Sequence, residues 1–284
     1  MNRVVSKRFL NDSVVWLDLE AGQIAQRAQA GQFVVLRIDE SGERIPLTIA
    51  EADADHQTVS VIFQIVGAST LKLADLEPGD YLADLVGPLG QALQVQPGFR
   101  VCVIGGGVGC AVAYPQAKAL AQRGLDVDMI VGFRNHDLVI LEDEMRAAVA
   151  NLYVVTDDGS YVEKGFVTTK LEALLNAGQH YDLAIAIGPT IMMKMTCALT
   201  AKYNLPTEVS LNPIMVDGTG MCGCCRVTVD GQTRFACVDG PDFDGHLVDW
   251  DELMARNAFY QEPEAAAYTR QQELHRCKLT GELR

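Results

Sequence analysis

The segment Asp217-Gly-Thr-Gly-Met-Cys222-Gly-Cys224-Cys225, answered by Cys237, constrains this chain more than any other stretch. Its spacing reads Asp-x4-Cys-x2-Cys-x11-Cys. That is the plant-type iron–sulfur pattern, Cys-x4-Cys-x2-Cys…Cys, with an aspartate in the first position. Gly218, Gly220 and Gly223 let the backbone take the left-handed angles that wrapping donors around a compact inorganic core requires. Cys222 and Cys225 can both turn inward, whereas the adjacent Cys224 and Cys225 diverge, so one of that pair is expected to be a ligand. Between Cys225 and Cys237 runs Arg226-Val-Thr-Val-Asp-Gly-Gln-Thr-Arg-Phe-Ala, an alternating hairpin with Asp230-Gly231 at its turn. It would swing Cys237 back to the loop. The spacing points to Asp217, Cys222, Cys225 and Cys237 as ligands of a [2Fe–2S] cluster. An all-cysteine set with Cys224 in place of Asp217, a structural zinc site and a disulfide pair are the alternatives that the residues leave open; Asp217 would then be an ordinary turn aspartate.

Charge and hydropathy narrow the setting. A net charge of −14 over 284 residues argues against nucleic acid and against an anionic membrane surface as partners. There is no apolar run near the ~18 residues that a membrane helix needs. The start, Met1-Asn-Arg-Val-Val-Ser-Lys-Arg, carries no apolar signal core, so a cytoplasmic location with reduced thiols is expected. Cys102, Cys110, Cys197 and Cys277 are scattered and read mostly as packing residues.

The hydrophobic period changes once along the chain. Residues 1–96 carry short runs rich in β-branched and aromatic residues, such as Val14–Leu19, Gln32–Ile38 and Thr58–Val66, separated by glycines, and predict an antiparallel barrel. A short helix capped by Ser69 is expected within this part. Over 97–212 apolar strands (100–104, 126–131, 152–156, 182–187, 208–211) alternate with helical stretches (110–123, 138–150, 167–177, 191–203). That alternation predicts a doubly wound parallel sheet. Residues 213–245 form the cysteine loop. The polar tail 246–284 reads as helical, with Trp250, Leu253, Phe259 and Tyr260 as its apolar anchors.

Two glycine turns lie where a doubly wound sheet binds its ligands. Gly105, Gly106, Gly107 and Gly109 sit between a strand and a helix, where close backbone approach and free amides suit a dinucleotide pyrophosphate. Gly188-Pro189 ends a second strand at the same edge. In the barrel part, Arg44-Ile-Pro46-Leu47-Thr48 starts a strand; an arginine there can clamp a pyrophosphate, and the Thr48 hydroxyl can reach a flavin ring. Val66, Gly67, Ser69 and Thr70 could offer amides and hydroxyls to phosphates at a helix start. Beyond the second α/β strand, Arg134 stands against Asp137 and Glu142. This mixed charge leaves both NAD(H) and NADP(H) open.

The order of these motifs resembles the ferredoxin–NADP reductase superfamily over nearly the whole chain. Within it the chain is similar to the branch of type B dihydroorotate dehydrogenase electron-transfer subunits. It is most similar to the small subunits of NADH-dependent reduced ferredoxin:NADP oxidoreductases, on Met215-Val-Asp217-Gly-Thr-Gly-Met-Cys222-Gly-Cys-Cys225-Arg-Val and on Cys237-Val-Asp-Gly-Pro-Asp-Phe-Asp-Gly-His. The resemblance implies an FAD-binding barrel, a nucleotide-binding α/β domain and a C-terminal iron–sulfur loop. It implies FAD on Arg44, Pro46, Leu47, Thr48, Val66, Gly67 and Thr70, and NAD(H) near Gly106 to Gly109. The [2Fe–2S] cluster falls on Asp217, Cys222, Cys225 and Cys237; the dihydroorotate relatives carry four cysteines. Ile187 stands where the superfamily usually has a cysteine before Gly-Pro. The implied activity is hydride exchange between NAD(H) and FAD, with single electrons passed to a larger flavin and iron–sulfur subunit, similar to the small subunit of glutamate synthase, which meets ferredoxin. A diaphorase-like subunit of a hydrogenase, sulfide dehydrogenase, sulfite reductase or dihydroorotate dehydrogenase is the alternative in the same class. A redox-sensing or assembly subunit is the alternative outside it.

Overall fold

The computed structural model describes residues 2–280, with side chains through residue 275. The first sheet contains β1 (Asn2–Asn11), β2 (Val14–Glu20), β3 (Phe33–Arg37), β4 (Arg44–Asp53), β5 (Thr58–Gln64), β6 (Tyr81–Leu82) and β7 (Asp84–Leu89). Two short helices, α1 (Gly22–Ala25) and α2 (Ala68–Ala74), interrupt them. The strand order β6-β1-β2-β5-β4-β3-β7 is antiparallel throughout and curls into a near-barrel. Alternation fills the inside with Val15, Leu17, Leu19, Val34, Leu36, Val59, Val61 and Phe63. Gly67, not Ser69, occupies the N-cap of α2, and the Thr70 side chain does the capping. Ser69 lies in the first turn, where its hydroxyl donates to Glu43 Oε2 at 2.6 Å.

The second sheet contains β8 (Arg100–Gly106), β9 (Asp126–Phe133), β10 (Asn151–Thr156), β11 (Glu163–Lys164), β12 (Leu183–Ile187) and β13 (Thr207–Ser210). The helices α3 (Gly109–Gln122), α4 (Glu142–Ala148), α5 (Val167–Asn176) and α6 (Thr190–Thr200) connect them. The helix expected over 138–150 is shorter. A turn precedes α4, and Leu141 at its start takes a left-handed φ of 56°. The hairpin β14 (Arg226–Val229) and β15 (Gln232–Phe235) stands apart from both sheets. After it come the single turn α7 (Ala236–Asp239) and β16 (Asp242–Asp244), which pairs antiparallel with β13. The sheet order is therefore β11-β10-β9-β8-β12-β13-β16. The winding reverses between β8 and β12, which is the switch point where open α/β sheets bind ligands.

The outer face of the barrel (Val14, Trp16, Ala50, Ile62) packs into one core with α3 and its sheet. The tail forms α8 (Trp250–Ala258) and α9 (Gln261–Thr280). Leu253 is buried and Trp250 half-buried, as expected of anchors, but Phe259 is 75% and Tyr260 49% exposed. These two sit at the corner between α8 and α9 and pack edge-to-face on each other, ring centroids 4.9 Å apart. Cys102, Cys110 and Cys197 are buried packing thiols, and the expectation for Cys277 lies outside the described side chains. No helix among the described residues is long and apolar enough to cross a membrane.

Candidate functional site

Strand β4 organises the first part of the site. Its second half pairs with β5 from Ile49 onward, but Arg44 to Thr48 pair only with β3. One edge of that half is left open. Strand alternation then sorts the side chains. Ile45 and Leu47 turn into the barrel core, so Leu47 can offer a ligand only its backbone. Arg44, Pro46 and Thr48 share the outward face with their direct cross-strand partners Arg37, Val35 and Phe33. Across the gap stand Val66, which is exposed, and Gly67, where an added Cβ would meet nothing. The hydroxyls of this segment are already committed: Thr70 Oγ1 accepts from the amides of Val66 and Gly67, each at 3.0 Å, and Ser69 binds Glu43.

The glycine turn after β8 divides into two kinds of residue. Gly105, Gly106 and Gly109 are buried and allow packing. A Cβ on Gly105 would sit 3.0 Å from Cys110, one on Gly106 would sit 2.3 Å from Met192 Sδ, and one on Gly109 would sit 2.6 Å from both Gly188 Cα and Ile187 O. Gly107 alone of the four faces open space, with φ 56°. The end of β12 places Gly188 and Pro189 against this turn, so the two turns form one surface. Met192, on α6, covers Gly106 and has no sequence signature beyond a methionine on a helix.

The cysteine loop packs on the outside of the barrel. Phe33 and Val35 of β3 form a small core with Met215, Cys225, Ala236 and Cys237, joined by Leu89. A Cβ at Gly218 would strike Leu89 at 2.6 Å, so the loop backbone lies directly on β7 and β3. Gln91 ties the following segment down, its amide donating to Gly240 O at 2.6 Å and its Nε2 to Val238 O at 2.7 Å. Gly218, Gly220 and Gly223 have φ of 74°, 80° and 69°, as the wrap requires.

The donors stand in two groups. The hairpin closes as expected: Ala236 N donates to Cys225 O, and Cys237 N donates to Cys225 Sγ at 3.4 Å. Burial, then the neighbouring Cys225, pushes the Cys237 thiol up to about 12. On the other side, Asp217 accepts from Thr219 N (2.8 Å) and Cys222 N (2.9 Å). These amide bonds hold its carboxyl below the usual range. The neighbouring Cys222, ahead of burial, raises the Cys224 thiol above its ordinary value. Arg256 of α8, which nothing in the sequence singled out, donates from Nη2 to Cys224 O at 3.0 Å. The seven cysteines with described side chains are all free, so none forms the alternative disulfide. Among the described residues no three donors converge as a single ion would need. The glycine loop gathers cysteine thiols and one carboxylate on a single short segment, the sulfur-rich donor chemistry that a [2Fe–2S] cluster takes. The residues present therefore fit a [2Fe–2S] cluster.

Residues 212–249 match the model of the iron–sulfur cluster binding domain of dihydroorotate dehydrogenase B. A Thermotoga maritima homologue of the dihydroorotate dehydrogenase B (NAD(+)) electron transfer subunit is 43% identical over 270 residues, covering 95% of each chain. The chain belongs to the dihydroorotate dehydrogenase B electron transfer subunit family. An uncharacterized protein of Clostridium beijerinckii, from the region 3′ of adh, is 50% identical over 275 residues, 94% of this chain and 93% of that one. A solved structure of the NADH-dependent reduced ferredoxin-NADP oxidoreductase, described for flavin-based electron bifurcation, superposes with a TM-score of 0.90 at 43% identity. It covers 95% of this chain and 97% of that chain. More distant reductases, of cytochrome P450 and of a carbazole dioxygenase, share the fold alone. In this electron transfer subunit family the near-barrel, the wound sheet and the cysteine loop have the fold of ferredoxin reductases, as the motif order implied.

Proposed function

We propose that this chain is the electron-transfer subunit of an electron-bifurcating oxidoreductase that uses NADH, NADPH and ferredoxin. It exchanges a hydride between NAD(H) and FAD, and delivers single electrons by way of a [2Fe–2S] cluster to a larger subunit that meets ferredoxin. The observation that carries this reading is the spacing of the sites. Thr48 and Pro46 are the direct strand partners of Phe33 and Val35, and these two touch the core that holds Cys225 and Cys237. The strand that carries the flavin residues and the strand under the cysteine core are therefore neighbours, about 4.8 Å apart.

A flavin beside an iron–sulfur cluster supplies the change from two-electron hydride chemistry to one-electron transfer. The chain's own residues bind and orient. The exposed Arg44 holds a pyrophosphate bidentately at the open half of β4. The Thr48 hydroxyl, on the same face, orients the ring, and Pro46 and Val66 give apolar walls. The amides that open α3, beside Gly107, receive the phosphates of NAD(H), with Gly188 and Pro189 as the opposite lip. With Ile187 buried before Gly188, no thiol stands at that lip. Asp217, Cys222, Cys225 and Cys237 hold the cluster. Cys222 and the neighbouring Met221, 89% exposed, lie on the solvent side, where the partner subunit receives electrons.

The test is the visible spectrum of anaerobically purified protein before and after NADH. Flavin bands with a broad iron–sulfur shoulder, both bleached by NADH, are expected. A flavin spectrum without the shoulder, or a colourless protein, overturns the reading. The partner that copurifies separates a bifurcating complex from a dihydroorotate dehydrogenase or a hydrogenase.

A further inference from the structure

A cavity of about 200 Å³ opens beside the flavin segment of the barrel, and the tail helix α9 forms one wall of it. Ile38 and Glu43 line it from the loop between β3 and β4, Ala68 and Ser69 from α2, and Ala267 and Gln271 from α9. These positions adjoin the flavin candidates: Glu43 precedes Arg44, and Ala68 lies between Gly67 and Ser69. A pocket for a whole small-molecule ligand runs to roughly 300–1,000 Å³, so this space suits one end of a longer molecule. The polar groups around it are of two kinds. On the barrel side they are paired: Ser69 Oγ donates to Glu43 Oε2 at 2.6 Å, and Lys72 Nζ stands 3.6 Å from Asp39 Oδ2. On the α9 side Gln271 is only 9% exposed, and among the described residues its side-chain amide has no hydrogen-bond partner. A buried amide in that position has given up water with nothing in return. One turn further along α9, His275 Nδ1 lies 3.0 Å from Asp75 Oδ1, which pins the helix to the far end of α2 and fixes Gln271 at the cavity.

We propose that Gln271 reads the adenine of FAD, with the adenosine end of the cofactor lodged in this cavity, so that the C-terminal tail completes the flavin site. A primary amide carries a donor and an acceptor side by side, and adenine offers the matching pair in its amino group and the adjacent ring nitrogen. Ile38, Ala68 and Ala267 give the cavity apolar walls, and the two alanines leave room for a flat ring. The Glu43 carboxylate accepts from ribose hydroxyls at the mouth. The inference rests on the flavin reading of the barrel, and it assigns a cofactor contact to a helix that lies far in sequence from every other flavin candidate.

The experiment titrates deflavinated full-length protein with FAD and, separately, with FMN, which has no adenosine end. Flavin fluorescence gives the dissociation constants for wild type, Gln271→Leu and Ala267→Trp, and circular dichroism reports folding. Wild type is expected to bind FAD more tightly than FMN. Gln271→Leu should weaken FAD about tenfold and leave FMN unchanged. Ala267 is exposed on α9, so Ala267→Trp obstructs the cavity without entering the core, and it should weaken FAD at least as much, again with FMN unchanged. An unchanged FAD affinity in either folded variant overturns the proposal. So does an equal loss of FAD and FMN affinity, which marks damage to the flavin site as a whole. Wild type that binds FMN as tightly as FAD keeps the flavin reading and removes the adenine pocket. Folded wild type that binds neither flavin overturns the flavin reading itself, and the role of Gln271 with it.

Discussion

The two ends of the parallel sheet follow opposite rules. At the amino ends of β8, β9 and β10, Asp128 is 0% exposed and accepts from Arg100 Nη2 (3.1 Å), Tyr181 Oη (2.8 Å) and Asn151 Nδ2 (2.7 Å). The Arg100 guanidinium stacks over the Tyr181 ring at 5.1 Å. Burial pushes the Tyr181 phenol well above its ordinary value, so it stays a donor. At the carboxyl end β8 finishes in Gly105-Gly106 and β12 runs into Gly188, and Gly107 in the turn after β8 faces open space. One end satisfies its polar groups internally, so it contributes to stability. The other brings glycine backbone to an open turn, which is where the proposed dinucleotide would approach. Asp128→Ala should break the first end. It strands the buried Tyr181 hydroxyl and takes a partner from Arg100 and Asn151 at the rim, and should cost about 3 kcal/mol. Thermal unfolding should show a large drop in midpoint while the flavin and cluster spectra of the folded protein stay unchanged. A drop no larger than that of an exposed control such as Asp137→Ala would show that the network is incidental.

The carboxyl end responds differently. Gly109→Ala would put a methyl 2.6 Å from Gly188 Cα and Ile187 O, which are backbone atoms that cannot rotate away. Helix α3 must shift, and the amides at its start move with it. On propensity alone alanine would stabilise the helix by up to about 1 kcal/mol. The clash reverses that sign, with an expected loss of about 1–3 kcal/mol. The rate of flavin reduction by NADH should fall about 10- to 100-fold. Stopped-flow reduction with dithionite as the control separates the two effects. A stabilised variant with an unchanged rate would mean that the close contact is relaxed at no cost.

This contrast was only partly legible in the sequence. The strands and helices of 97–212 could be read because buried parallel strands appear as unbroken apolar runs, such as Val101 to Ile104 and Leu183 to Ile187. β1 was missed because most of it is exposed and it carries Arg3, Lys7 and Arg8. β16 was missed because Asp242-Phe-Asp has no strand pattern; its pairing with β13 is imposed by the chain around it. The cysteine loop and its glycines were read from spacing, since that chemistry is local. What each glycine of 105–109 is for could not be read. The answer depends on Met192, Gly188 and Cys110, which a linear pattern does not place. Arg256 on Cys224 is the same case at a separation of 32 residues.

The edge of this sheet extends the comparison, because its acids have no Arg100. Glu208 stands opposite Asp244 in register, and with Asp242 they line a cavity of about 210 Å³ beside Gln91 to Gln94. Asp242 Oδ1 is buried without a partner; Gln116 reaches the other oxygen at 3.5 Å. Burial pushes Asp242 up to about 6 and, with help from Asp242 and Asp244, Glu208 up to about 7. Both groups bind protons more tightly in the folded state. The contribution of these two acids to stability should therefore be full below about pH 4 and decline as pH rises toward about 7. Asp242→Asn should flatten this slope and raise the unfolding midpoint at alkaline pH, by about 1–2 kcal/mol after allowing for solvent access. Equal slopes for variant and wild type between about pH 4.5 and 7.5 would remove the acids from the account.

The smallest change tests the open end most directly. Gly107→Ala adds a methyl where no heavy atom lies within 4 Å, at φ 56°. Strain in the left-handed region should cost about 1 kcal/mol, and no packed neighbour adds to it. If the carboxyl end works by letting a dinucleotide approach its backbone, the methyl intrudes on the ligand and not on the protein. The expected signature is an NADH KM raised several-fold, about 1 kcal/mol of binding, with kcat nearly kept. Gly109→Ala should lower both stability and rate, because its obstacle is inside the fold. If Gly107→Ala left KM unchanged while lowering stability, the glycine would be serving the turn alone. The phosphates would then have to be placed elsewhere along the Gly188–Pro189 lip.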